Sequence, residues 1–174
     1  MIRDRLRHAA RRAFLWGRAC VLPALHPPSR CRLAPPDPTR VSRLLVVRTD
    51  RLGDMALTGA ALQDLRDHFR GAEITVLAPP APLALLQRHP AVDRRVVLQR
   101  SGPAEPIRAR FDLAIDFTPD AALRGALLVA RTRAAFRAGF RCWGRQVFFN
   151  LHAPPADPSR HILDLNRDLV RSLG

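Results

Sequence analysis

Five short apolar runs, separated by stretches of helical periodicity, constrain this chain more than any other feature. They are RLLVVR (residues 43–48), EITVLA (73–78), DRRVVLQ (93–99), FDLAIDF (111–117) and AAFRAGF (134–140). Short runs rich in Val, Ile and Leu read as strands buried on both faces. Between the first two, Leu57, Ala61, Leu65 and Phe69 recur at helical spacing with Leu62 beside them, and Gly71 supplies a stop. Residues 79–87 predict a short helix with Pro only in its first turn, and residues 120–132 predict another. The stretch DPSRHILDLNRDLVRSLG (157–174) offers Ser159 as a cap, an apolar face of Ile162, Leu165, Leu169 and Leu173, and Gly174 at its end. Such alternation predicts an α/β fold: a Rossmann-like, open, mostly parallel sheet with right-handed crossovers and helices on both faces.

The pattern starts only near Val41, so residues 41–174 are expected to form the domain and residues 1–40 a leader and linker. Within the leader, Ile2, Leu6, Ala9, Ala13 and Trp16 share one helical face, which predicts a helix over residues 2–19. Six prolines between Pro23 and Pro38 mark the linker. All 29 basic side chains are Arg, and the net charge is +14. Half of that charge lies in residues 1–40, where nine Arg face only Asp4 and Asp37. A charge this large favours anionic partners, and a basic helix carrying Phe14 and Trp16 suits an anionic membrane surface. The absence of Tyr, the few aromatics near the Arg clusters and the lack of any reading motif argue against nucleic acid. The segment ARRAFLW (10–16) loosely resembles a twin-arginine export signal, but Arg18 and Pro23 interrupt the apolar stretch that should follow. Cys20, Cys31 and Cys142 are odd in number and lack ligand spacing, so free thiols in a reducing compartment are expected, with no metal site.

One junction stands out. Arg48, Thr49, Asp50, Arg51, Gly53 and Asp54 separate the first strand from the helix after it. In an open parallel sheet, ligands bind beyond the carboxyl ends of the strands. A helix starting near Asp54 would add free N–H groups that favour an anion. Arg48 and Arg51 could make bidentate phosphate contacts, and Gly53 could serve a tight turn or a close backbone approach. Asp54 has two readings from spacing alone: a helix N-cap or a base. Neither GxGxxG nor GxxxxGK[ST] is present, so no dinucleotide or nucleoside-triphosphate fingerprint is evident.

The segment from Leu44 to Leu98, with its apolar strand, Arg-x-Asp-Arg-x-Gly-Asp, small-residue turn and second strand, resembles the opening of glycosyltransferase family 9, which includes the lipopolysaccharide heptosyltransferases. FDLAIDF, RAGFRCWGRQVFFNLHAPP and HILDLNRDLVRSLG resemble later segments, so the likeness runs over about residues 43–174. It implies the N-terminal, acceptor-binding half of a two-domain GT-B enzyme. It also implies inverting transfer: a carboxylate, here Asp54, deprotonates an acceptor hydroxyl that attacks the anomeric carbon as nucleoside diphosphate departs. The implied donor is a nucleotide sugar such as ADP-heptose, with no cofactor and no metal. The implied acceptor is a phosphorylated glycolipid at the cytoplasmic face of the inner membrane, with Arg51, Arg88, Arg94, Arg95 and Arg124 as candidate phosphate contacts. The likeness ends at the interdomain hinge. A donor domain elsewhere, on a separate chain or in a longer form, is therefore expected for transfer. A non-enzymatic module binding anionic membrane or lipopolysaccharide is the alternative.

Overall fold

The structure is a computed structural model that describes residues 2–25, 34–49, 51–103, 110–154, 157 and 159–174. Its centre is a sheet of β1 (Arg43–Val47), β2 (Glu73–Ala78), β3 (Arg94–Gln99), β4 (Gly102–Pro103), β5 (Leu113–Asp116), β6 (Phe136–Phe140) and β7 (Leu151–Ala153). Their spatial order is β4-β3-β2-β1-β5-β6-β7. Only the two-residue β4 runs antiparallel to its neighbour; every other pairing is parallel. The six parallel strands thus follow the doubly wound order 3-2-1-4-5-6, whose direction reverses between β1 and β5.

The unbroken apolar runs follow from burial on both faces. Leu44 and Val46 of β1 join one core with Ile74, Val76, Leu113 and Ile115. The helices α2 (Leu52–His68) and α5 (Ile162–Arg171) cover that face through Met55, Leu62, Leu65, Leu165 and Leu169. Leu45 and Val47 point the other way, into a second core with Leu77, Val96, Ala114 and Phe149. There α4 (Arg124–Arg131) adds Ala126, Leu128 and Val129. Each Leu, Ile, Val, Met or Phe among them contributes about 1.5–3 kcal/mol on burial. The remaining helices are α1 (Ile2–Leu25) and the five-residue α3 (Pro80–Ala84).

Several boundaries differ from the sequence expectation. The first helix continues through Pro23 to Leu25, although the proline has no N–H to donate to the turn before it. Pro36 is buried, and Pro38 opens a 3₁₀ turn (Pro38–Arg40) capped by Asp37, so the stretch before β1 is packed in part. α2 ends at His68, three residues before Gly71, with Phe69 as its C-cap. α5 is capped by His161, whose ring nitrogen accepts from the Leu163 N–H at 3.3 Å, not by Ser159. Ser159 instead closes a turn on the Asp157 carboxylate.

Asp112 fixes the start of β1. One of its carboxylate oxygens accepts from the Ser42 N–H, the Ser42 hydroxyl and the Arg43 N–H at 2.8–2.9 Å. Burial alone would push this carboxyl up, but the three hydrogen bonds outweigh that, and its pKa falls below the ordinary value. A depressed folded pKa gives stability that is present above the unfolded value and is lost as pH falls through the folded one. Asp112→Ala is therefore expected to cost about 1–2 kcal/mol at neutral pH. Urea unfolding of both proteins should show that difference shrinking as the wild-type carboxylate protonates in acid.

Candidate functional site

The reversal point of the sheet lies where β1 and β5 end side by side. The Phe117 N–H donates to Val47 O at 3.2 Å, and the Arg48 N–H donates to Leu77 O at 3.0 Å. Past these bonds Thr49 and Thr118 face each other with hydroxyl oxygens 3.4 Å apart. α2 then starts at Leu52 with Arg51 as its N-cap, so its unpaired first N–H groups open onto the same crevice.

This geometry bears on the N-cap reading of Asp54. The helix begins two residues ahead of it, and Asp54 lies in the first turn, not at the cap. The N-cap reading is therefore corrected: Leu52 and Gly53, which look like loop in the sequence, are already helical. The Asp54 carboxylate is 35% exposed, and its Oδ1 lies 3.9 Å from Arg48 Nη2. The Asp54 carbonyl accepts from the Thr58 hydroxyl at 2.7 Å, and the Asn166 amide of α5 lies 3.5 Å from that hydroxyl. α5 thus steadies the turn that carries Asp54.

Gly53 is helical too, so a tight turn is not its purpose. A Cβ there would meet no protein atom within 4 Å, which leaves open space over its backbone. Arg51 is exposed and its side chain makes no capping bond, so it is available to a ligand. Asp50 lies outside the described residues. Arg48 corrects the expectation of a phosphate contact: its guanidinium is fully buried and donates to Phe117 O. Arg48 ties the exit of β5 to the exit of β1 and reaches toward the Asp54 carboxylate.

A second buried arginine performs the same task one strand further. Arg145 pairs with Asp116, the last residue of β5, and both are fully buried. It also donates to Thr118 O at 2.7 Å and to Asp120 O. The Asp116 carboxylate accepts from the Thr118 N–H at 2.9 Å. Burial pushes its pKa up, while the Arg145 guanidinium and Thr118 oppose the rise. α4 makes room for this pair with a glycine: a Cβ on Gly125 would lie 2.5 Å from both Asp116 carboxylate oxygens. Two buried guanidiniums therefore hold the carbonyls of Phe117, Thr118 and Asp120, and these shape one wall of the crevice. Sequence reasoning missed this pair. The available signal was an acid closing an otherwise apolar strand.

Beyond that wall is a cleft of about 420 Å³, lined by Leu15, Pro119, Asp120, Cys142, Trp143 and Arg160 among others. Burial pushes the Cys142 thiol up against the pull of Arg145. The other candidate arginines are dispersed. Arg94 pairs with Glu73 at 3.6 Å at the opposite end of the sheet. Arg95 donates to Leu86 O and Gln87 O at 3.4 and 3.1 Å. Arg124, at the start of α4, donates to Gln99 O. Arg88 is exposed in the turn after α3. No group of three or more His, Cys, Asp or Glu among the described residues could hold a metal ion.

Among solved structures, the chain resembles a glycosyl transferase family 9 protein from Veillonella parvula over 82% of its length, with a TM-score of 0.68 and 19% identity. It resembles E. coli heptosyltransferase WaaC, solved with ADP, over 76% of its length, at 0.62 and 23%. E. coli ADP-heptose lps heptosyltransferase II follows at 76%, 0.58 and 20%. The fold is one that family 9 glycosyltransferases contain. The chain spans 43–47% of the length of these proteins, so the family 9 fold is matched over less than half of each. No family model matches the sequence, and no curated protein does.

Proposed function

We propose that this chain is the acceptor-binding, N-terminal half of an inverting family 9 glycosyltransferase. Asp54 carries the reading. It is a carboxylate about one-third exposed at the reversal point of the sheet, free of capping duty and beside a buried arginine. In that role it accepts the proton of an acceptor hydroxyl as the oxygen attacks the anomeric carbon, and the nucleoside diphosphate leaves from the opposite face. Thr49 and the open backbone at Gly53 line the acceptor's approach, and Arg51 offers two N–H groups to a phosphate.

The donor is a nucleotide sugar. WaaC has been solved with ADP and with ADP-2-deoxy-2-fluoro heptose, which supports an ADP-heptose-type donor. Its binding falls mainly to a domain outside the matched portion, on the same or another chain. The acceptor is a phosphorylated, lipopolysaccharide-type glycolipid, which places the domain at the cytoplasmic face of a membrane.

The test is transfer of heptose from ADP-heptose to heptose-deficient lipopolysaccharide by this chain joined to, or mixed with, a family 9 nucleotide-sugar domain. Product that requires both parts is expected. Absence of product from every ADP- and UDP-sugar tried, with both parts folded, would overturn the reading. Arg51→Ala should raise the acceptor KM about five- to tenfold with little change in kcat, as loss of one exposed charge-assisted contact does.

A further inference from the structure

α1 has two apolar faces, and the domain occupies only one. On the inner face, Leu15 lines the cleft with Trp143, and Arg18 Nε donates to Trp143 O at 3.1 Å. A Cβ on Gly144 would lie 3.1 Å from Ala19 Cα and 3.4 Å from Leu22 Cδ1, and this glycine has φ +86°. Trp16 meets the Trp143 ring edge-on, with centroids 6.0 Å apart. The loop after β6 thus fits Leu15, Arg18, Ala19 and Leu22, which recur at helical spacing.

The outer face is uncovered. Phe14 is 68% exposed, Trp16 61% and Val21 53%. Ala13, Gly17, Cys20 and Ala24 are exposed with them. Over residues 13–24 these exposed side chains share the face of the helix turned away from the domain. The same helix carries six Arg and one Asp. It is not long and apolar enough to cross a membrane.

We propose that α1 is a membrane-surface helix. It lies in the plane of an anionic bilayer with Phe14, Val21 and the small residues between them at the acyl boundary, its arginines on the headgroups and Trp16 at the rim. Three observations select lipid over other anionic partners. The exposed face of residues 13–24 is dominated by apolar and small side chains, with Phe14 and Val21 fully free to enter an acyl layer. The flanking charge is almost wholly positive, which complements anionic headgroups. The inner face is keyed to the loop 142–144, so the helix would hold the C-terminal end of the sheet at a fixed aspect to the bilayer. Nothing in this inference depends on the transferase reading, and no transfer assay enters its test.

The full chain is mixed with vesicles of phosphatidylcholine alone or with one-third phosphatidylglycerol, and bound protein is measured by co-sedimentation. Strong preference for the anionic vesicles is expected. Phe14→Ser with Val21→Ser leaves the charge unchanged and should weaken that binding about tenfold or more. Phe14→Leu with Val21→Leu should keep it. Both side chains are exposed, so the variants should retain the wild-type circular dichroism and melting. Absence of anionic-vesicle binding by the wild type would overturn the proposal, as would equal binding by the serine variant. Equal displacement of wild type and serine variant by added RNA would overturn it too, since it would reduce the helix to a polyanion patch.

Discussion

Asp54→Asn is expected to lower the turnover of sugar transfer by about a hundredfold to ten-thousandfold, the range of a lost general base. The isosteric amide keeps the shape of the first turn of α2 and removes only the proton acceptor. The structural cost should be small. A negative charge in the first turn of a helix contributes about 0.3–1 kcal/mol. The contact with Arg48 is 3.9 Å long and partly exposed, so its loss adds little. Capping is undisturbed, because Arg51 holds that position. The signature is thus a fall in kcat at an acceptor KM changed by less than about threefold, with melting nearly unaltered. Steady-state kinetics of this chain together with a nucleotide-sugar domain would measure it. Asp54→Glu should restore part of the rate, since it returns a carboxylate at a shifted position. Turnover near wild type in the Asn variant would remove Asp54 from the chemistry and leave it as a partner for Arg48.

What could be read from the sequence, and what could not, follows one physical division. Burial on two faces writes itself into consecutive residues, so Leu44 to Val47, with alternate side chains in two different cores, were legible as a strand. So was the junction after them, because strand order places any such junction at the carboxyl end. Features made by distant pairing were not legible. β7 (Leu151–Ala153) is three residues long and exists because it pairs with Ala138–Phe140. Arg145 meets Asp116 across 29 positions, and in a chain with 29 Arg no single one draws notice. Arg48 shows the limit most clearly: its neighbours in sequence suggest a ligand contact, while burial turns it inward onto Phe117 O. At Asp54 a local rule, the preference of Asp for the N-cap, gave way because Leu52 and Gly53 extend the helix upstream.

The buried pair behind the crevice carries the largest expected effect on stability. Arg145→Met keeps the apolar stem of the side chain and removes its charge. Asp116 then stays fully buried, with the Thr118 N–H as its one remaining backbone donor and without the guanidinium that stabilised its anion. Breaking a buried ion pair from one side costs about 3–5 kcal/mol. The loss should depend on pH in a defined direction. Burial already pushes the Asp116 carboxyl up, and removing Arg145 takes away its main opposing charge. A carboxyl whose folded pKa lies above its unfolded value contributes stability that is fully present below the unfolded value and is lost as pH rises through the folded one. The variant should therefore regain part of its stability as pH falls from neutral, toward a protonated, neutral Asp116. The double variant Asp116→Asn with Arg145→Met should recover much of the loss at neutral pH, since Asn still accepts from the Thr118 N–H and leaves no buried charge. A coupling of about 1–3 kcal/mol in that double-mutant cycle is expected from urea unfolding. Additive losses that do not vary with pH would mean that Arg145 acts through packing and its bonds to Thr118 O and Asp120 O alone. With the pair intact, Arg145 keeps the carbonyls of Thr118 and Asp120 fixed just beyond the exit of β5.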